Sequence, residues 1–202
     1  MSSKKFVITA YRHVGKTTLV KKVLEAWTGS CTAERAGKKV CGFFTEKIDF
    51  DRDARGGDPK NIKTPIEPGR FPVFIYPIDS NDPLGSMPII DDDHIVGLCG
   101  CGNHYTNFEV FDTLGVEYLS APDFETLIVI DEVGFMEMGA EKYKEKIFEI
   151  LKSDNPVLLM MKDRMDIDLI KQIRDFPGVT FIEMNEDNRD EVTERVIADI
   201  LR

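Results

Sequence analysis

The apolar run Phe6 to Thr9 leads into Ala10-Tyr11-Arg12-His13-Val14-Gly15-Lys16-Thr17-Thr18, and that loop opens onto Val20, Val23, Leu24 and Trp27 at helical spacing. A strand, a tight loop and a helix entered through Gly-Lys-Thr constrain this chain more than any other feature. A loop of this kind gathers backbone N–H groups at a helix N-terminus, with a lysine at its lip and a hydroxyl beside it. That is the chemistry of a phosphate-binding loop of the Walker A type. Residues 10 to 18 are therefore the expected nucleotide-binding set, with Lys16 neutralising phosphate charge and Thr17 offering its hydroxyl to magnesium. Ala10 stands where G-x-x-x-x-G-K-[ST] has its first glycine. If the backbone there needs φ > 0, alanine costs roughly 1–2 kcal/mol and nucleotide binding weakens. The competing reading puts Ala10 in a relaxed β conformation within a rebuilt loop.

A second half-site completes the first. Leu127-Ile128-Val129-Ile130 is an apolar run that ends in Asp131-Glu132. In parallel sheets, ligands bind at the carboxyl ends of the strands. Asp131 is the expected Walker B acid, holding the magnesium shell with Thr17, because magnesium prefers hard oxygens and keeps most of its waters. Glu132 is the expected general base, orienting water for in-line attack on the γ-phosphate, with Lys16 as its catalytic partner.

The pattern between these motifs predicts an α/β fold. Strands are expected at 4–10, 40–45, 126–130, 156–161 and 179–184, and helices at 15–27, 108–120, 140–152, 167–176 and 190–201. Apolar strands of four to six residues between helices imply a parallel sheet covered on both faces. Phe71 to Ile78 carries two prolines and reads as an edge strand. Residues 49–70, with Gly56-Gly57-Asp58-Pro59 and Glu67-Pro68-Gly69-Arg70, read as a loop or hairpin tip, and 79–107 as irregular. The chain of 202 residues is expected to form one domain, with 46–107 as an irregular insertion inside it.

Composition narrows the partners. A net charge of −10 argues against a nucleic-acid binder, whose affinity comes largely from Lys and Arg neutralising phosphates. No apolar stretch reaches the length of a membrane span, and the chain opens without an export signal, so cytoplasm is expected, with the four cysteines as reduced thiols. Protein partners are not readable. His94, Cys99, Cys101 and His104 form H-x4-C-x-C-x2-H, which offers zinc-type ligands; the C-x-C spacing and flanking glycines fit a turn better. Arg12 and Arg164 are each weighed as a cation for the γ-phosphate against a solvated side chain, and Arg189 as a structural partner of Glu186 or Asp190.

The set Val14-Gly-Lys-Thr-Thr-Leu19, Cys41-Gly-Phe-Phe-Thr-Glu-Lys-Ile48, Ile130-Asp-Glu-Val-Gly-Phe-Met-Glu-Met138 and Asn185-Glu-Asp-Asn-Arg-Asp190 resembles the nucleoside-triphosphatase family first recognised in thermophiles, also called cancer-related nucleoside-triphosphatase. The resemblance runs nearly end to end. It implies a three-layer P-loop fold of the RecA-like type with an extra catalytic glutamate, and slow Mg-dependent hydrolysis of several nucleoside triphosphates, including ATP. It carries phosphate and metal binding onto Gly15, Lys16, Thr17 and Thr18, the Walker B role onto Asp131 and water activation onto Glu132. Two other classes stay open: a small-molecule or nucleotide kinase with its acceptor held by 46–107, and a nucleotide-binding adapter with little turnover. Glu132 directly after Asp131 favours water as nucleophile.

Overall fold

The computed structural model describes residues 4–11, 13–29, 38–51, 62–79, 83–84, 88–101, 104–164 and 166–202. Arg12 and Gly56 to Pro59 lie outside them, so the expectations placed there have no structural counterpart. Eight strands form one sheet: β1 (Lys5–Ala10), β2 (Val40–Lys47), β3 (Arg70–Asp79), β4 (Ile95–Gly100), β5 (Tyr105–Thr106), β6 (Leu127–Val133), β7 (Val157–Lys162) and β8 (Thr180–Met184). Their spatial order is β5-β4-β3-β2-β6-β7-β1-β8. From β2 to β8 every pairing is parallel; from β2 to β5 every pairing is antiparallel.

Alternation along the strands builds two cores. In β1, Val7 faces one side while Phe6, Ile8 and Ala10 face the other; in β7, Val157, Leu159 and Met161 oppose Leu158 and Met160. Helices α1 (Lys16–Thr28) and α5 (Arg189–Ile200) cover the second face. The first face is covered by α2 (108–118), α3 (Glu141–Lys152) and α4 (Asp168–Arg174). Each aliphatic side chain fully buried between these layers contributes about 1.5–3 kcal/mol. The result is the three-layer RecA-like arrangement, with β7 inserted between the loop-bearing β1 and the acid-bearing β6.

Two expectations are corrected. β3 is interior, flanked by β2 and β4, because its prolines fall where the ladders end. Pro72 lies one step past the last β2 pair, and its carbonyl accepts from Ile48 N–H at 3.0 Å. Pro77 is an odd number of residues away, so its nitrogen faces the β4 side, where pairing has stopped at Phe74. The stretch 79–107 is also not irregular throughout. Ile95, Val96 and Leu98 are buried in β4, and the short β5 pairs with it. In the turn before β4, Asp92 accepts from Lys63 N–H, Thr64 N–H and the Thr64 hydroxyl, pinning the preceding segment to this turn.

Candidate active site

The phosphate loop leaves β1 at Ala10 and enters α1 at Lys16. Ala10 is 4% exposed and pairs in register with Lys162 and Met184. It is not among the positive-φ residues, so the strain expected of it is absent and the relaxed-strand reading holds. The left-handed turn is taken instead by His13 (φ 66°) and Gly15 (φ 110°). Val14 is buried against the α1 core, which anchors the loop. The α1 N-terminus has no side-chain cap and no acidic residue in its first turn. Its first N–H groups and positive dipole end are thus uncompensated by the chain, as an anion site requires. Thr17 and Thr18 are exposed on that turn, and Tyr11 is exposed at the loop's mouth, where the neighbouring Asp163 raises its phenol above the usual range.

Lys16 links this loop to β6. Its Nζ donates to the Ala10 carbonyl at 2.9 Å and to the Tyr11 carbonyl at 3.2 Å, and lies 3.2 Å from Glu132 Oε1. Glu132 Oε2 is 3.6 Å from Lys162 Nζ, so two ammonium groups hold one carboxylate. Glu132 has φ 100°, at the register shift between Ile130 and Val133 where β6 bulges against β7. A non-glycine residue in that conformation costs on the order of 1–3 kcal/mol, and such strain concentrates where a side chain must be aimed. Asp131, one residue earlier, points into the protein and is 6% exposed. Burial, then the neighbouring Glu132, push its carboxyl up to about 7 against the opposing pull of Lys16 and Lys21.

The motif residues flanking these carboxylates have visible roles. Phe44 pairs with Asp131 across β2 and β6, and the Thr45 hydroxyl donates to the Asp131 carbonyl at 3.4 Å. Glu46 accepts from the Tyr76 hydroxyl at 2.8 Å. A Cβ on Gly134 would come 2.7 Å from the Lys162 side chain, so glycine there lets the lysine stem pass toward Glu132. Glu137 turns back to accept from Gly134 N–H at 2.7 Å; it is 4% exposed, and burial raises its carboxyl to about 7.

Three hollows that share lining residues lie along the carboxyl edge of the sheet. A small cleft of about 150 Å³ lies among Ala10, Tyr11, Lys16, Glu132, Lys162 and Arg164. One of about 230 Å³ shares Ala10, Tyr11 and Asp163 with it and extends to Glu183, Met184 and Asn185. The third, about 510 Å³, shares Glu132, Phe135 and Lys162 with the cleft and opens among β2, β3 and β4.

Other anticipated residues fall elsewhere. Arg164 lines the cleft, but its guanidinium is gripped by both oxygens of Asp166, at 2.8 and 2.7 Å. Arg189 is exposed and, among the described residues, pairs with neither Glu186 nor Asp190; Asn185 and Asn188 make the hydrogen bonds of that turn. His94 bonds Asp91 and Tyr118, and His104 packs on Phe135 with ring centres 5.1 Å apart. Among the described residues no group of His, Cys, Asp and Glu is arranged to hold a metal by itself; His94 ends a short 3₁₀ turn and Cys99 lies in β4. Lys162 is the residue that sequence reasoning undervalued. Its signal was a lysine closing an apolar strand at the ligand edge, overshadowed by the arginine two positions on.

A family profile described as NTPase matches residues 87–197, more than half of the chain. The chain belongs to this NTPase family. Curated relatives extend the match through the phosphate loop. The nucleoside-triphosphatase THEP1 of Aquifex aeolicus is 28% identical over 201 residues, covering 96% of this chain and 97% of its own. That of Methanocaldococcus jannaschii is 32% identical over 152 residues, 75% of this NTPase and 74% of the relative. The crystal structure of the Aquifex aeolicus protein has a TM-score of 0.61 at 24% identity, covering 98% and 99% of the two chains, and supports the fold of this NTPase. No helix among its described residues is long and apolar enough to cross a membrane.

Proposed function

We propose that this chain acts as one catalytic domain that hydrolyses nucleoside triphosphates to diphosphate and phosphate, with magnesium, slowly and with weak discrimination among bases. The observation that carries the reading is the Glu132 carboxylate held between Lys16 and Lys162 at the edge of the phosphate loop. Triphosphate over the loop takes Lys16 as its charge partner, which frees one Glu132 oxygen to accept a proton from an attacking water. Lys162 then faces the same reacting centre from β7, supplying the second cation that a tied Arg164 does not. Family membership and the curated relatives' names support the reaction class.

The donors present suit a magnesium ion. Thr17 offers a hydroxyl and Asp131 a carboxylate, both hard oxygens, and magnesium needs few protein ligands. A carboxyl raised to about 7 by burial loses its proton readily when a dication stands beside it. When bound, the ion neutralises charge on the β- and γ-phosphate oxygens. The hollow ending at Glu183, Met184 and Asn185 lies on the far side of the loop from Glu132 and is where the base would rest.

Phosphate release from ATP, GTP, CTP and UTP, with magnesium or with chelator, tests this reading. Expected are turnover below about 10 s⁻¹, rates within about tenfold of one another, and loss of activity in chelator. Metal-independent release, or turnover of one base alone, would contradict it.

A further inference from the structure

Hydrolysis needs room for one water, whose share of liquid volume is about 30 Å³. The hollow beyond Glu132 is about 510 Å³, within the range of sites that bury an organic ligand. Its walls do not suit a lone water. Phe71 and Val73 of β3, Val96 of β4, and Phe111 and Met136 from the helical side give it an apolar body. Its charged fittings lie over aromatic rings: Lys47 Nζ is 4.6 Å from the Phe71 ring centre and Lys162 Nζ is 4.7 Å from that of Phe135. Among the described residues no carboxylate pairs with Lys47, whereas Lys162 is engaged by Glu132. His13 and His104 add imidazoles at the rim. On the floor, Glu137 has one oxygen committed to Gly134 N–H and is nearly enclosed.

From these features we propose that the chamber is an acceptor site, which takes a small hydroxylated organic anion and presents its hydroxyl to Glu132 for phosphoryl transfer from the nucleotide. The anionic group meets Lys47, the body fills the aromatic walls, and the hydroxyl reaches the partition that Glu132 and Lys162 form with the phosphate-loop cleft. The acceptor oxygen forms a bond to the γ-phosphorus as the bond from that phosphorus to the β,γ-bridging oxygen breaks. The diphosphate leaves with the electron pair, and the hydroxyl proton passes to the Glu132 carboxylate. This rests on the assignment of Glu132 as base, and it gives the antiparallel extension a purpose, because β3 and β4 supply the chamber's far wall. Water entering a chamber too large to position it accounts for slow hydrolysis.

The test is label transfer from γ-³²P ATP with magnesium to three probe classes, nucleoside monophosphates, sugar monophosphates and aromatic hydroxy acids, with free phosphate measured in parallel. At least one class should take label and raise nucleotide consumption at least about tenfold over the acceptor-free rate. In Lys47→Glu, and independently in the chamber-filling Cys99→Trp, the ratio of transfer to hydrolysis should fall at least about tenfold. Lys47 is exposed at the end of β2, so its variant remains informative if the Cys99 variant does not fold. Phosphate release with no labelled acceptor in any class overturns the acceptor site and leaves the hydrolase reading standing. Absence of both products removes both readings. A nucleotide-bound structure with the base inside the chamber overturns the proposal as well.

Discussion

β6 and β3 lie on either side of β2, one strand apart in opposite directions, yet they are written in different alphabets. β6 is parallel to its neighbours and covered on both faces, so its sequence is an unbroken apolar run that delivers Asp131 and Glu132 to one edge. β3 is antiparallel, carries two prolines, and lines a chamber with Phe71 and Val73. The parallel side positions charged groups through strand ends; the antiparallel side shapes space through strand faces. β2 is the seam, and it holds both kinds of residue: Thr45 beside Asp131, and Lys47 at the chamber.

The largest expected effect tests that seam. Gly42 of β2 has φ 139°, and a Cβ there would sit 1.9 Å from the Val129 carbonyl oxygen of β6. Gly42→Ala should separate the strands that join the two halves, costing several kcal/mol by analogy with other large steric or strain mutations. Chemical denaturation checks it. A loss under about 0.5 kcal/mol, the scale of a neutral surface substitution, would mean that the seam is not close-packed.

A second measurement separates the halves by pH. Asp131, near Lys16 and Glu132, and Glu137 in the chamber both have carboxyls raised to about 7 by burial. A carboxyl raised on folding stabilises fully below its unfolded value, near 4, and that contribution is lost as pH rises through its folded value. The thermal midpoint of the protein alone should therefore fall between about pH 4 and pH 7, then level off. Glu137→Gln should remove one part of that slope. Magnesium with nucleotide should remove the Asp131 part and leave the Glu137 part. A midpoint that rises over the same interval would contradict the burial assignment.

The smallest effect concerns Ala10. Because Ala10 is a relaxed, buried strand residue, Ala10→Gly should leave Mg-nucleotide affinity within about twofold and cost roughly 0.5–1 kcal/mol of stability through backbone entropy. Tenfold tighter binding in the glycine variant would restore the strained-loop reading.

Legibility followed the same divide. The parallel strands, the loop and the carboxylate pair could be read because each follows a local rule: apolar run, Gly-Lys-Thr, strand-end acid. The interior placement of β3 could not, since the prolines are tolerated only through where the neighbouring ladders stop, a property of other strands. β4 was hidden because glycines at 97 and 100 interrupt its apolar pattern; a Cβ at Gly97 would strike the Tyr105 carbonyl and Met136. The partnership of Lys162 with Glu132 depends on the bulge at Glu132 and on the missing Cβ at Gly134, over which the lysine stem passes, and neither leaves a mark in the sequence of β7. Tyr11 and His13 were placed in the loop correctly, but the left-handed turn at His13 is a tertiary outcome.

Glu132→Gln tests the central claim most directly, through equilibrium binding of a Mg-nucleotide and single-turnover hydrolysis on the same preparation. Lys16→Ala serves as the reference that should lose binding. If Glu132 serves the attacking oxygen from its place between two lysines, the glutamine variant should keep affinity close to wild type and lose about 10²- to 10⁴-fold in rate. Hydrolysis at the wild-type rate, with affinity retained, would show that the carboxylate between Lys16 and Lys162 only ties the loop to β6.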